Sequence, residues 1–177
     1  MSAQETADLI KSVNDMTATV AGKIGEIDEH LISSNYLVQY KIYKDESTGV
    51  QQVAEAVTPF FVSLKIDFIP KYPDSLIVVR ASGNFRVIRT DGTQNVCGMD
   101  IQLYDGEQLL NPNIAFLYDG QSNNIHANPN MLHIDNRGGV AERHYKIALL
   151  QHTTGTSLSY YAALGQGTVS VEEYQNV

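Results

Sequence analysis

From residue 60 the chain reads FFVSLKIDFI, and the alternation sends Phe60, Val62, Leu64, Ile66 and Phe68 to one face of an extended segment and Ser63, Lys65 and Asp67 to the other. Such a segment buries one side and wets the other, which is the pattern of a strand in an antiparallel sheet packed on a core. Comparable runs recur: YLVQYKIY from 36, VQQVAEAV from 50, SLIVVRAS from 75, NFRVIRT from 84, NVCGMDIQLY from 95, IAFLY from 114, HYKIALLQ from 144, LSYYAAL from 158 and TVSVEEY from 168. Gly, Pro, Asn and Asp bound most of them, and no helical period intervenes. The expectation is a mainly β fold, an antiparallel jelly roll or β-sandwich spanning residues 35–177.

Leu-Tyr-Asp-Gly occurs twice, at 103–106 and 117–120. Asp-Gly pairs favour tight hairpin turns because both residues tolerate positive φ. They stand at Asp91-Gly92, Asp105-Gly106 and Asp119-Gly120, and Asn111-Pro112-Asn113 and Asn128-Pro129-Asn130 are turn formers as well. The doubled segment therefore reads as consecutive hairpins with equal geometric demands, too short and uneven for a solenoid repeat.

Residues 1–34 have a different period. Ser2 and Glu5 stand in a capping-box arrangement that starts a helix. Leu9, Val13, Met16, Val20, Ile24, Ile27 and Leu31 then follow at helical steps, all within roughly 60° of one line on a helical wheel. A stripe this narrow suits association with copies of itself, so the segment is expected to be a coiled-coil stem whose seam is formed by these seven residues. Lys23 and Asp28 flank the stripe at a spacing that pairs parallel chains. Gly22 and Gly25 each cost about 1 kcal/mol in a helix interior, which leaves the stem dependent on what it packs against. Packing of the helix on the body of its own chain is the alternative.

Charge excludes several partner classes. Twelve Lys and Arg against twenty Asp and Glu give a net charge of −8, which disfavours nucleic acid. The acidic N-terminus lacks the basic start of a secretory signal, and no apolar run reaches the ~20 residues of a membrane span, so no membrane insertion is expected. One cysteine, Cys97, excludes an internal disulfide and a multi-thiolate metal site.

No constellation specifies a reaction. Asp119 with Asn123 and Asn124 offers oxygen ligands without EF-hand spacing, and His126, His133 and Asp135 match no recognised ligand pattern. GTSLS at 155–159 lacks a nucleophile elbow, and GQG at 165–167 is no phosphate loop. The acid pairs Asp100 with Asp105 and Glu172 with Glu173 have the types used in sugar hydrolysis, but twenty acids supply such pairs by chance. No catalytic residue, metal or cofactor is therefore expected, and the chain reads as a non-enzyme. Tyrosine is the enriched type with a binding use. Tyr104, Tyr118, Tyr160 and Tyr161 have rings suited to stacking on sugars or to packing. Candidate ligand-contact loops carry Tyr104, Tyr118, Asn123, Asn124 and His126.

ADLIKSVNDMTATVAGKIGEIDEHL, residues 7–31, resembles the short helical stems that open tail-fibre and related virion proteins of tailed bacteriophages. HYKIALLQHTTGTSLSYYAALGQGTVSVEEY, residues 144–174, is similar to the last strands of the trimeric jelly rolls of phage fibres, which resemble complement-type and tumour-necrosis-factor-like heads. Together these segments cover about a third of the chain. The resemblance implies a virion component made in the host cytoplasm. It would be a homotrimer, either a short tail or head fibre or a capsid decoration protein, joined to other virion proteins through its stem and contributing to host attachment. Thirty helical residues reach only about 45 Å, which suits short attachment rather than long reach. The alternative is a carbohydrate-recognition, lectin-like module that binds a host surface glycan.

Overall fold

The computed structural model describes residues 4, 10–17, 19, 20, 23, 36–92, 97–121, 124–162 and 167–175. Its first six strands are β1 (Tyr36–Asp45), β2 (Gly49–Val53), β3 (Phe60–Phe68), β4 (Leu76–Ser82), β5 (Asn84–Arg89) and β6 (Cys97–Asp105). Six more follow: β7 (Gln108–Asp119), β8 (Asn124–Ala127), β9 (Asn130–Asp135), β10 (Arg143–Gln151), β11 (Thr156–Ala162) and β12 (Gly167–Gln175). They form three four-stranded sheets, ordered β1-β12-β4-β9, β3-β10-β6-β7 and β2-β11-β5-β8. The fold is mainly β and sandwich-like, with its strands in three antiparallel sheets.

One rule generates the whole arrangement. β6 lies beside β7, β5 beside β8, β4 beside β9, β3 beside β10, β2 beside β11 and β1 beside β12. That is the connectivity of one long hairpin rolled up, each sheet taking one inner pair and one outer pair. The apex of the hairpin is the first of the two Leu-Tyr-Asp-Gly segments. Asp105 stands opposite Gln108, so Gly106 and Glu107 make the turn, and Gly106 takes φ 55°, a conformation that costs glycine nothing.

The alternation legible in FFVSLKIDFI is the alternation observed. Val62, Leu64, Ile66 and Phe68 are buried while Lys65 and Asp67 face out. All three sheets feed one core. Val79 and Val171 come from the first, Leu64, Ile101 and Ile147 from the second, and Phe85 and Leu158 from the third. Phe85 packs on Tyr160 with ring centroids 5.4 Å apart.

Three expectations are corrected. Asn111-Pro112-Asn113 is no turn but lies inside β7, where the pairing with β6 shifts register. β7 is the edge strand of its sheet, and an edge at an irregularity tolerates a proline without losing a ladder bond. β8 and β9, absent from the expected strands, flank the turn at Asn128-Pro129-Asn130 and are held by register to β5 and β4. Of the three Asp-Gly pairs, Gly92 and Gly106 take positive φ, whereas at Asp119-Gly120 the aspartate makes the bend, its Oδ1 accepting from Gln121 N at 2.8 Å.

Contacts divide the chain into two compact units, Met1–Tyr36 with Asn176–Val177, and Leu37–Gln175. The first has helical geometry at residues 10–17, 19, 20 and 23. The described residues thus show one short helical stretch, and no coiled-coil stem is evident among them. Thr17 and Thr19 return their hydroxyls to the carbonyls of Val13 and Asp15 at 2.8 and 2.9 Å, and Lys11 reaches Asp15 at 3.5 Å. Val13, Met16 and Val20 of the apolar stripe are exposed. Leu9, Ile24, Ile27 and Leu31 lie outside the described residues, as do the Ser2–Glu5 capping box, Gly22, Gly25 and Asp28. Among the described residues, no helix is long and apolar enough to cross a membrane.

Candidate functional site

Among the described residues three carboxylates are buried in the β body: Asp45, Asp135 and Glu173. A buried acid is a candidate for chemistry only if its oxygens are available, and here donors fill them. Asp45 accepts from Ser47 N at 3.0 Å, Ser47 Oγ at 2.5 Å, Tyr160 Oη at 3.0 Å and Ser63 Oγ. Asp135 accepts from Arg137 N at 3.1 Å, Nε at 2.8 Å and Nη2 at 2.5 Å, and from Tyr145 Oη at 2.7 Å. Glu173 accepts from Lys71 N and Tyr72 N at 2.8 and 3.0 Å, Ser75 Oγ at 2.7 Å and Gln39 Nε2 at 2.5 Å. Burial pushes each carboxyl up, but the hydrogen bonds to its charged form outweigh burial and hold it below the ordinary range, Asp135 at about 2. Burial, and then the bonds to Asp135 and Asp45, raise the phenols of Tyr145 and Tyr160. These are ionised structural clamps.

The acid pairs noted in the sequence do not converge. Asp100 and Asp105 lie five apart on β6, an odd spacing that puts them on opposite faces of the strand. Asp105 reaches Arg137 at 2.9 Å, while Asp100 lies 3.6 Å from His152. Glu173 is in the core and its neighbour Glu172 faces Arg80 at 3.2 Å. His126 and His133 sit in different sheets. Among the described residues no three His, Cys, Asp or Glu gather as a metal site.

The candidate contact residues are in strands rather than loops, and the fold distributes them over two surfaces. Tyr104 is buried, its hydroxyl 3.1 Å from Gln102 and its ring edge-on to Phe61 at 5.1 Å. That position is packing on the sheet, and corrects its reading as a loop contact. Asn124 and His126 lie on the outer face of the β2-β11-β5-β8 sheet, where Arg86 Nε donates to Asn124 Oδ1 at 2.9 Å and Nη1 donates to Tyr161 Oη at 3.1 Å. The His126 ring stands 5.5 Å from that of Tyr161. Asn123 lies outside the described residues.

Tyr118 belongs to a separate cluster with Phe116 and His152. The Phe116 and Tyr118 rings are 5.7 Å apart and within 8° of parallel. His152 stands edge-on to them at 4.7 and 6.0 Å. Phe116 and His152 are additions that the sequence reading missed. Phe116-Leu117-Tyr118 places two aromatics on one face of a strand, and that signal was legible. A third surface, over the β1-β12-β4-β9 sheet, is a groove of about 490 Å³ with Tyr40, Ile42 and Leu132 as walls and Arg80, Ser82, Thr168 and Ser170 along its floor.

No family model matches the chain, and no curated protein does. Among solved structures it is similar to dimeric latent PorU from Porphyromonas gingivalis, with 10% identity, a TM-score of 0.42, and coverage of 80% of this chain and 13% of that one. It is also similar to a structure of the infectious bursal disease virus Gx strain, with 10% identity and a TM-score of 0.34 over 78% of this chain and 38% of that one. A family two carbohydrate esterase from Cellvibrio japonicus matches with 10% identity and a TM-score of 0.22 over 77% of this chain and 35% of that one. The chain spans well under half the length of each of these proteins.

Proposed function

We propose that the chain is a non-enzymatic structural protein of a virion, a trimeric short fibre or a capsid or tail decoration protein of a tailed bacteriophage, which self-associates through its N-terminal helical segment and takes part in host attachment. The observation that carries self-association is the exposure of Val13, Met16 and Val20, at 53%, 64% and 53%, on one stripe of that segment. Burying each such side chain against sister chains contributes about 1.5–3 kcal/mol, and repetition along the stripe adds to it. The resemblance of residues 7–31 and 144–174 to phage fibre proteins supports the virion setting. Saturation of all three buried carboxylates supports a body built for stability rather than turnover. Light scattering of the full chain at micromolar concentration tests the reading. A trimer is expected, and Val20→Asp combined with Ile24→Asp dissociates it by burying uncompensated charge. A monomeric wild-type mass overturns it.

Carbohydrate recognition is a second reading, favoured by one observation: Tyr118 and Phe116 present nearly parallel rings, each about half exposed, at 53% and 47%.

A further inference from the structure

We propose that Phe116, Tyr118 and His152, with the carboxylate of Asp100 at their border, form a binding platform for the apolar ring faces of a neutral oligosaccharide. The inference deepens the carbohydrate reading and rests on it, not on self-association.

The cluster is built from three separated parts of the chain. Phe116 and Tyr118 project from the same face of edge strand β7, and His152 follows β10 directly. Gly98 of β6 makes their approach possible. A Cβ there would stand 3.0 Å from Tyr118 Cδ2, 3.2 Å from His152 Cδ2 and 3.0 Å from Thr153 Oγ1. The two rings therefore lie over bare backbone, and even a methyl group at 98 requires them to shift by a few tenths of an ångström. His152 is further fixed by its backbone N–H donating to Gly98 O at 3.2 Å. The turn beyond it is pinned by Gln151 Nε2 and Thr156 Oγ1, each donating to Thr153 O at 2.7 Å. Rings exposed and held in this way bind without ordering loops first.

Geometry and charge select the ligand class. A cation caged between aromatic rings sits within about 6 Å of each, and the rings must stand well apart to admit it. Here the three centroid separations are 5.7, 4.7 and 6.0 Å, so the rings touch one another and leave no cage. Stacked on one another and each about half exposed, Phe116 and Tyr118 present an apolar patch instead. A charged side chain at its border is an acid, Asp100, 16% exposed and 3.6 Å from His152 Nδ1, which opposes phosphate, sulfate and carboxylate ligands. A carboxylate beside aromatic rings accepts from vicinal hydroxyls while the rings cover C–H faces. A neutral pyranose has both features, and two adjacent rings suit more than one sugar unit.

Saturation-transfer NMR with neutral tetrasaccharides of glucose, mannose, galactose and N-acetylglucosamine tests the assignment on the full chain. At least one tetrasaccharide is expected to bind, and Phe116→Ala or Tyr118→Ala to weaken it about tenfold, some 1.4 kcal/mol. Gly98→Val, which displaces the rings without removing them, also weakens it. Asn124→Ala and His126→Ala, in the other sheet, leave it unchanged, and scattering mass is the same for every variant. Silence from all four sugars overturns the proposal, as does binding that survives both aromatic substitutions. A mass that falls on Phe116→Ala overturns it in favour of a face covered by a second copy. Loss of the wild-type trimer with sugar binding intact rejects the self-association reading alone.

Discussion

Tyr160 Oη donates to Asp45 Oδ2 at 3.0 Å, and that bond joins two sheets at a point where the third also arrives. Asp45 ends β1, Tyr160 lies in β11, and Ser63 of β3 donates to the same carboxylate oxygen. The three β sheets thus share one buried charge. The rolled hairpin brings its outer arm and its return arm together there, so the polar contact fixes how the layers close over the core.

Removing the charge is expected to cost more than removing one donor. Tyr160→Phe deletes a single hydrogen bond and leaves Asp45 its Ser47 and Ser63 partners, at about 1–2 kcal/mol. Asp45→Ala strands the Tyr160 and Ser63 hydroxyls together in the interior, at about 3 kcal/mol or more. Urea unfolding of the two variants checks the order, and equal midpoints would mean that the carboxylate contributes no more than one bond.

Gly167 opens β12 beneath the same phenol. A Cβ on it would stand 1.9 Å from Tyr160 Oη and 2.9 Å from Leu64 Cδ2. Gly167→Ala is therefore expected to destabilise by about 1–3 kcal/mol through overpacking. Part of that cost should disappear in the Tyr160→Phe background, where the nearest atom is gone while Leu64 Cδ2 at 2.9 Å and the ring Cζ at 3.0 Å remain. A double-mutant cycle measures the coupling, and strict additivity would show the clash to be relieved elsewhere.

How much of this was readable from residues depends on burial. β3 and β12 could be placed because one face of each is buried, which writes period two into the sequence. β8 and β9 could not, because Asn-Ile-His-Ala is only four residues long and Asn-Met-Leu-His-Ile-Asp turns Leu132 and Ile134 outward while Asp135 is buried, so neither shows a buried apolar face before it pairs with β5 and β4. Pro112 pointed to a turn, since nothing local says that its strand is an edge. At the aromatic platform Phe116 and Tyr118 were visible at their spacing of two. His152 joins them from 34 residues beyond Tyr118, across a space that Gly98 keeps open. That juxtaposition belongs to topology. Of the seven-residue stripe, Val13, Met16 and Val20 fall in described helical residues and are exposed, while its other four positions lie outside the described residues.

Asp135 makes stability depend on pH in a defined direction. Its carboxyl titrates at about 2 in the folded chain, against 3.8 for an unperturbed aspartate. A folded-state value below the unfolded one stabilises above the unfolded value and is lost as pH falls through the folded one. The window is thus pH 4 down to 2, and the amount about 2 kcal/mol. Asp45 and Glu173, also lowered, act in the same direction. Urea unfolding from pH 5 to pH 2 should show a steeper loss in the wild type than in Asp135→Asn. Parallel curves would place the acid sensitivity in other groups.

Glu173 ties the segment between β3 and β4 to the sheet, and its replacement tests whether the charge or the shape does so. Both its oxygens lie within 3.0 Å of Lys71 N, and Tyr72 N and Ser75 Oγ converge on Oε1. Glu173→Gln keeps the volume and replaces one acceptor with an amide donor. Whichever way the amide turns, its NH2 faces the Lys71 N–H, and on one side it also meets the Gln39 amide, which donates to Oε2 at 2.5 Å. Two opposed donors in a buried site cost the lost bond and the desolvation of each group, about 2–3 kcal/mol in all. The loss should be local first, since the donors reside in one segment. Amide hydrogen exchange at Lys71 and Tyr72 is expected to quicken well before the β6 and β10 amides of the core do. Exchange that rises uniformly across the strands would instead assign Glu173 a part in global stability, with no special hold on residues 71–75.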